Sequence, residues 1–228
     1  MEKVIELKQV WKIYKIEEVT YPALRGATLD VFKGEFLAIM GPSGSGKSTI
    51  LNSVGALDVP TKGEILLDGK NIAHLAESEL AQIRGRKIGF IFQAFNLISS
   101  LNALENVILP MTFQGIQADE RIARAKKLLE LVGLEHRMKN LPSQLSGGEK
   151  QRVAIARSLS NNPEVILADE PTGNLDSKTG KEILELLRKL QKSENKTLVM
   201  VTHDNKIAKQ ADRTAYLSDG KVIRITKN

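Results

Sequence analysis

A chain of 228 residues with 42% hydrophobic and 26% charged residues is long enough to bury a core and too apolar to be disordered. No apolar run approaches the roughly 20 residues that span a bilayer, and the N-terminus lacks the apolar segment of a signal peptide. The absence of cysteine excludes disulfides and thiolate metal sites, which is typical of a cytosolic protein. The net charge of +6 fits a nucleic-acid binder, a protein working against anionic lipid, a polyphosphate binder or simply a solvated basic surface, so charge does not choose among functions.

Strand patterns dominate the first part of the chain. The first 35 residues alternate apolar and polar side chains, as in Val4-Ile5-Glu6-Leu7, which predicts antiparallel strands. Phe36–Met40 is a continuous apolar run suited to the centre of a sheet, and it leads into a glycine-rich loop and a predicted helix near residues 48–57. Asp68-Gly69 and Asp219-Gly220 each separate two short strand patterns and predict hairpins.

A helical spacing of apolar residues first occurs in the middle of the chain. Between residues 119 and 132 the apolar side chains recur at helical intervals, and Gly133 is placed to end that helix. Residues 94–145 show little strand character, so we expect an inserted helical lobe there. After it, predicted strands at 165–168 and 197–201 flank a helix, and this alternation favours a parallel sheet covered by helices.

The glycine-rich loop carries the strongest motif. Gly41-Pro42-Ser43-Gly44-Ser45-Gly46-Lys47-Ser48-Thr49 matches G-x-x-x-x-G-K-[ST], the phosphate-binding P-loop. Glycines allow backbone N–H groups to curl around phosphate oxygens, and the helix that follows points its positive end at them. In such a loop Lys47 reaches the β- and γ-phosphates and the Ser48 hydroxyl ligates Mg²⁺. The sequence therefore predicts a nucleotide site, in which residues 41 and 43–49 bind the phosphates.

An apolar strand that ends in two carboxylates supplies the second element of such a site. Asp169 can hold the Mg²⁺ coordination shell, usually through water. Glu170 can take a proton from an attacking water or orient it, which is typically worth about 10²–10⁴-fold in rate. Paired acids after a strand can also merely cap the next helix, but the P-loop favours a catalytic pair.

A third motif narrows the class of P-loop protein. Leu145-Ser146-Gly147-Gly148-Glu149-Lys150-Gln151-Arg152 follows the P-loop by about 100 residues and resembles the signature sequence of the ABC ATPases. Ser146 is a good N-cap, and Gly147 and Gly148 expose N–H groups at a helix start, which makes a second anion site.

The resemblance to the ABC ATPases covers the whole chain and implies roles for further residues. Gln93 matches the glutamine that lies near Mg²⁺ and hinges the helical lobe, and Asp176, in Asn174-Leu175-Asp176, belongs to the segment matching the D-loop. His203 matches the switch histidine that touches the γ-phosphate. Tyr14 lies where the family places an aromatic ring that stacks on adenine, with Trp11 as a rival and a half-buried strand tyrosine as the structural alternative.

The fold implied by the resemblance is α/β, with a P-loop (RecA-like) core around a parallel sheet, an N-terminal antiparallel β subdomain and an inserted α-helical subdomain. We expect residues 1–93 and 146–228 to form the core with its β subdomain, and residues 94–145 to form the helical subdomain.

The activity implied is ATP hydrolysis with ATP and Mg²⁺ bound. In this family the P-loop of one chain and the signature of a second chain enclose each ATP, so an ATP-dependent homodimer is expected. The catalytic residues would be Lys47, Gln93, Glu170 and His203, and the Mg²⁺ ligands would be Ser48, Gln93 and Asp169. The nucleotide would be bound by Tyr14, the P-loop residues named above, Ser146, Gly147, Gly148 and Asp176.

The partner implied is a separate integral membrane permease, which would hold the protein at the cytoplasmic face of the membrane. Two stretches are most similar to ATPases of lipoprotein-releasing and macrolide-export systems, with the cell-division branch as a close competitor. They are Phe92-Gln93-Ala94-Phe95-Asn96-Leu97 with Ala103-Leu104-Glu105-Asn106-Val107, and residues 168–176. No nucleic-acid partner is expected. The alternatives are a soluble or cell-division-type ABC ATPase that moves no substrate, and a non-enzymatic regulator, which the presence of Glu170, Gln93 and His203 disfavours.

Overall fold

The computed structural model describes residues 2–228. The chain forms two compact units: one comprises the described residues up to Arg84 together with Asn195–Asn228, and the other is Gly85–Glu194. The elements in chain order are β1 (Lys3–Ile16), β2 (Val19–Phe32), β3 (Phe36–Met40), α1 (Lys47–Val54), β4 (Lys62–Leu67), β5 (Lys70–Asn71), α2 (Glu77–Lys87), β6 (Ile88–Ile91), α3 (Ala103–Phe113), α4 (Ala118–Leu131), α5 (Gly147–Ser158), β7 (Val165–Asp169), α6 (Ser177–Ser193), β8 (Thr197–Val201), α7 (Asn205–Ala208), β9 (Arg213–Ser218) and β10 (Lys221–Lys227).

An antiparallel sheet in the first unit follows from the alternating N-terminal pattern. β1 pairs with β2 along one edge and with β4 along the other, and β4 turns back into β5 at Asp68-Gly69. Leu7 and Leu29 are buried, while the residues on either side of each are half-buried or exposed. The predicted antiparallel strands and the predicted hairpin are therefore confirmed.

A second sheet of the same unit positions the glycine-rich loop. β3, whose five residues are all buried, lies between β8 and β9 and runs parallel to both. β9 turns at Asp219-Gly220 into the antiparallel edge strand β10, as predicted. Because a fully buried strand satisfies its backbone only through neighbouring strands, β3 is held on both sides as far as Ile39, and Met40 is held by β9.

The second unit combines two parallel strands with helices. β6 pairs with β7, and α3, α4 and α5 pack against one another around Val107, Leu129 and Ile155. α4 ends at Leu131 with Val132 as its C-cap, and Gly133, the next residue, has φ 75°, in agreement with the predicted helix end. The described residues 94–145 hold α3, α4 and the 3-10 turns Glu135–Arg137 and Pro142–Gln144, which agrees with a helical lobe, although its boundaries as a subdomain stay a prediction.

No helix within residues 2–228 combines the length and the apolar character needed to cross a membrane.

Candidate functional site

The P-loop joins β3 to α1 and is shaped by two close backbone approaches. A Cβ atom on Gly41 would lie 2.2 Å from the carbonyl oxygen of Leu217, so a side chain is excluded there. Gly46 has φ 98°, and a Cβ atom on it would lie 2.6 Å from the carbonyl oxygen of Ala23. Both positions require glycine, and together they fix the path of the loop into the helix.

The polar groups of the loop suit an anion. The Lys47 ammonium donates hydrogen bonds to the carbonyl oxygens of Gly41 and Pro42, at 3.0 and 2.8 Å, so it lies over the loop. The Ser45 hydroxyl is buried and has no hydrogen-bond partner among the described residues. Ser48 is exposed at the start of α1, whose first turn, described in full, carries no acidic residue. The positive helix end and the Lys47 charge therefore face an environment without a competing carboxylate on that turn.

Tyr14 lies beside the same helix and is held by two residues that the sequence analysis missed. Its hydroxyl donates a hydrogen bond to Asp58 Oδ2 at 2.8 Å, and the Lys12 ammonium, which pairs with Asp58, lies 5.1 Å from the centre of the ring. Burial raises the pKa of Tyr14, and the bond to Asp58 adds to the increase, while the Thr49 hydroxyl opposes it. Tyr14 thus contacts Thr49 of α1, and the stacking of its ring on adenine stays a prediction.

His203 lies directly after β8, in the short connection to α7. The amide of Thr202 donates a hydrogen bond to the carbonyl oxygen of Ile39 in β3 at 3.1 Å, and Asp204 caps α7 by accepting from the amide of Lys206. His203 is exposed between these two fixed residues. Its backbone is thus anchored while its side chain faces outward.

Gln93 and the carboxylate pair lie at one edge of the second unit. Ile91 at the end of β6 is paired with Ala168 in β7, so the residues that follow both strands emerge together. Asp169 and Glu170 are half-buried, and Glu170 has φ 41°. Asn174 donates a side-chain hydrogen bond to the carbonyl oxygen of Gln93 at 2.9 Å, which ties the D-loop to Gln93.

The signature residues form the capped start of α5. The Ser146 hydroxyl accepts from the amide of Glu149 at 3.3 Å, and Glu149 accepts from the amide of Ser146 at 2.8 Å, a complete capping box. The amide of Ser146, followed by the Ser146 hydroxyl and the Arg137 guanidinium, lowers the pKa of the Glu149 carboxyl. Ser146 is confirmed as the N-cap.

A cavity of about 500 Å³ opens in front of this helix start. It is lined by Ser146, Gly147 and Gly148, by the D-loop and by the first turn of α6. Asp176 caps α6 by accepting from the amides of Lys178 and Thr179 at 3.1 and 3.0 Å. The hydrogen bond between the side chains of Asp176 and Thr179, followed by that from the Thr179 amide, lowers the pKa of Asp176. The structure therefore shows Asp176 as a helix cap, and its contact with a nucleotide stays a prediction.

The predicted Mg²⁺ ligands are of the donor type that this ion prefers, and their binding of a single ion stays a prediction. The candidate ligands are the Ser48 hydroxyl in the first unit and the Asp169 carboxylate and Gln93 amide in the second, and all three offer oxygen, which Mg²⁺ prefers. Within residues 2–228 no three His, Cys, Asp or Glu side chains form a cluster that could hold a metal ion.

The comparisons with known proteins all match the chain to ABC transporter proteins. A family model described as "ABC transporter" matches residues 24–173. An uncharacterized ABC transporter ATP-binding protein of Thermotoga maritima is 56% identical over 227 residues, covering 100% of this chain and 97% of that protein. The macrolide export ATP-binding/permease protein MacB of Mannheimia succiniciproducens is 48% identical over 224 residues, which are 98% of this chain but 35% of that protein.

A solved structure is similar over nearly the whole chain. It is the dimeric structure of a post-hydrolysis state of the ATP-binding cassette MJ0796, a protein of Methanocaldococcus jannaschii, bound to ADP and Pi. The match has a TM-score of 0.91 and 51% sequence identity, and it covers 98% of each chain. The predicted α/β P-loop fold is therefore confirmed.

Proposed function

Since this chain belongs to the ABC transporter family, as an ATP-binding cassette that hydrolyses ATP, we propose that it acts as a homodimer driving a separate membrane permease. One observation carries the proposal: two separate helix starts, that of α1 after the P-loop and the capped start of α5, each have the features of an anion-binding surface. Gly41 and Gly46 shape the P-loop. Ser146 and Gly148 line the cavity in front of the start of α5. Two such surfaces on each chain allow one ATP to be shared between two chains.

The P-loop residues bind the phosphates. Residues 41 and 43–49 surround the triphosphate with backbone N–H groups, and the Lys47 ammonium moves from the carbonyl oxygens it now contacts to the β- and γ-phosphates. Tyr14 stacks on adenine, and Asp58 and Lys12 keep its ring in place. Ser48, Gln93 and Asp169 would hold Mg²⁺, which would supply positive charge to offset the charge of the phosphates.

Glu170 acts on the attacking water and the remaining polar groups act on the γ-phosphate. The half-buried carboxylate of Glu170 accepts a proton from the water or orients it. His203 contacts the γ-phosphate from the chain that holds the P-loop, whereas Ser146, Gly147 and Gly148 contact it from the other chain. Asp176 lies beside that signature surface as the cap of α6.

The homodimer is supported by the solved relative, which is dimeric and bound to ADP and Pi. ATP would then join the two chains and hydrolysis would separate them, because the γ-phosphate is the part of the ligand that both surfaces contact.

Mixing two inactive variants should restore part of the ATPase activity. Lys47→Ala disables the P-loop, and Gly147→Asp places a negative charge at the signature, where a Cβ atom already meets Leu175 at 3.3 Å. A mixed dimer has one intact site, made from the P-loop of one variant and the signature of the other. An equal mixture should recover at most about a quarter of the wild-type rate, since half of the dimers are mixed and each has one good site.

The control for this experiment is a mixture of Lys47→Ala with Glu170→Gln. Both changes fall on the P-loop side of the shared site, so no intact site forms and no recovery is expected. Failure of the first mixture, with mixed dimers demonstrated by differential tagging, would contradict a site shared between chains.

The proposal of a permease partner is supported by an apolar surface in the segment that follows Gln93. Phe95, Leu97, Leu101 and Leu104 are half-buried and Ile98 is 42% exposed, so none of these five side chains belongs to the core. The MacB relative is named as an ATP-binding/permease protein, and this chain matches 35% of it. We propose that the surface docks on a permease at the cytoplasmic face of a membrane, in an export or release system.

Leu101→Asp should reduce copurification with the permease from solubilised membranes. The change puts a charge into the apolar surface, where burial against a partner would leave it unpaired, so retention is expected to fall about tenfold or more. Leu131→Asp is the matched control, because Leu131 is 45% exposed in α4, outside that surface. Equal retention of both variants would contradict docking through residues 95–104.

A further inference from the structure

The backbone of Glu170 is held in an unfavourable conformation. Its φ of 41° lies in the left-handed region, which a residue with a side chain avoids. Pro171 follows it, and a residue before proline is biased toward extended conformations. Strain of this kind persists only where surrounding contacts enforce it, and it clusters at functional sites. The contacts that hold this backbone are therefore part of how the carboxylate is aimed.

Two hydrogen bonds fix the peptide groups around Glu170. The amide of Gly173 donates to the carbonyl oxygen of Glu170 at 2.9 Å and closes a tight turn. The side chain of Gln151 donates through Nε2 to the carbonyl oxygen of Pro171 at 2.8 Å. Pro171 is buried and Gln151 is completely buried, so this second bond is shielded from water. A shielded hydrogen bond holds its acceptor more firmly than an exposed one.

Gln151 is an unusual residue for its place in the helix. The following positions of α5, Val153, Ala154, Ile155 and Ala156, are apolar and fully buried. Gln151 Oε1 accepts no hydrogen bond from the described residues, so the buried amide leaves one polar atom unsatisfied. An apolar side chain of the same size would avoid that cost. The hydrogen bond from Gln151 to the carbonyl oxygen of Pro171 is the interaction that an apolar side chain could not make.

We propose that Gln151 is a positioning residue for Glu170: by holding the carbonyl of Pro171 it keeps the strained backbone, and hence the carboxylate, in its working position. The inference rests on the proposed role of Glu170. Gln151 lies on the same helix as the capped signature start at Ser146, five residues away. A shift of α5 when phosphate binds at its N-terminus is thus passed to the Glu170 turn through one hydrogen bond.

Gln151→Met is the direct test, because it keeps the length of the side chain and removes the donor. The turnover number should fall about 10- to 100-fold, since a small misplacement of a catalytic group costs that much, while the KM for ATP stays within about twofold. Gln191→Met is the matched control: Gln191 is also a buried glutamine of the second unit, in α6, where Oε1 accepts from Arg188. Equal losses in turnover for the two variants would overturn the proposal.

A double variant separates positioning from general damage. If Gln151 acts through Glu170, Gln151→Met should cause no further loss of hydrolysis in a Glu170→Gln background. If Gln151→Met lowered hydrolysis in the Glu170→Gln background by as much as it does in the natural chain, the proposal would be overturned. Normal hydrolysis in Gln151→Met, beside an inactive Glu170→Gln, would also overturn it while leaving the proposed function intact. Normal hydrolysis in Glu170→Gln alone would instead contradict the assigned base.

Gln151→Glu is a second test of the same proposal, to be used if the Gln151→Met variant does not fold. Burial raises the pKa of a carboxyl group, and only its protonated form can donate to the carbonyl oxygen of Pro171. Activity relative to the natural chain should therefore increase as the pH is lowered. A ratio that does not change with pH would overturn the proposal.

Discussion

Glu170→Gln should lower ATP hydrolysis by roughly 10²-fold or more while leaving ATP binding unchanged. Glutamine has the size of glutamate but cannot accept the proton of the attacking water, so the chemical step slows while the nucleotide still binds. Because hydrolysis is what separates the proposed dimer, the variant should accumulate as a dimer when ATP is added. Phosphate release and size-exclusion chromatography with and without ATP measure the two effects.

Glu164→Gln is the control for that result. It makes the same chemical change at the opposite end of β7, where Glu164 pairs with Lys87 at 3.8 Å. Its hydrolysis rate should match that of the natural chain. A normal rate in Glu170→Gln would show that another group activates the water.

Lys47→Ala should weaken ATP binding severely. The change removes a charge-assisted contact to the phosphates, worth about 1.5–3 kcal/mol, which corresponds to roughly 10- to 100-fold in the dissociation constant. The fold should survive, because the hydrogen bonds that Lys47 makes to the carbonyl oxygens of Gly41 and Pro42 lie at the surface of the loop. Titration with a fluorescent ATP analogue measures the affinity.

Lys33→Ala controls for the loss of one positive charge. Lys33 belongs to the same unit, is exposed, and lies 3.8 Å from Glu2 in a surface ion pair, which contributes little. ATP affinity close to that of the natural chain is expected for it. If Lys47→Ala bound ATP as well as Lys33→Ala did, the P-loop assignment would be wrong.

Structural features that depend on residues close together in the sequence were predicted well. The hairpins at Asp68-Gly69 and Asp219-Gly220, the helix end at Gly133 and the cap at Ser146 all depend on contacts within a few residues. Such contacts are present in the unfolded chain as local preferences, so residue types alone indicate them. The helix α2 was missed because it is mostly polar and Leu80 is its only buried residue, which leaves too few apolar positions to reveal a helical period.

The sequence by itself determined the family and the nucleotide chemistry, and it predicted the residues that carry that chemistry, because each motif is a contiguous segment whose residue types the phosphate chemistry dictates. Only the tertiary structure decided how those residues are held. Asp58 reaches Tyr14 across 44 positions, and Gln151 reaches Pro171 across 20. The left-handed turn at Glu170 likewise exists because packing outweighs the preference of a glutamate that precedes proline. Contacts between distant segments leave no periodic trace in either segment, so the supports of this site emerge only after folding brings them together.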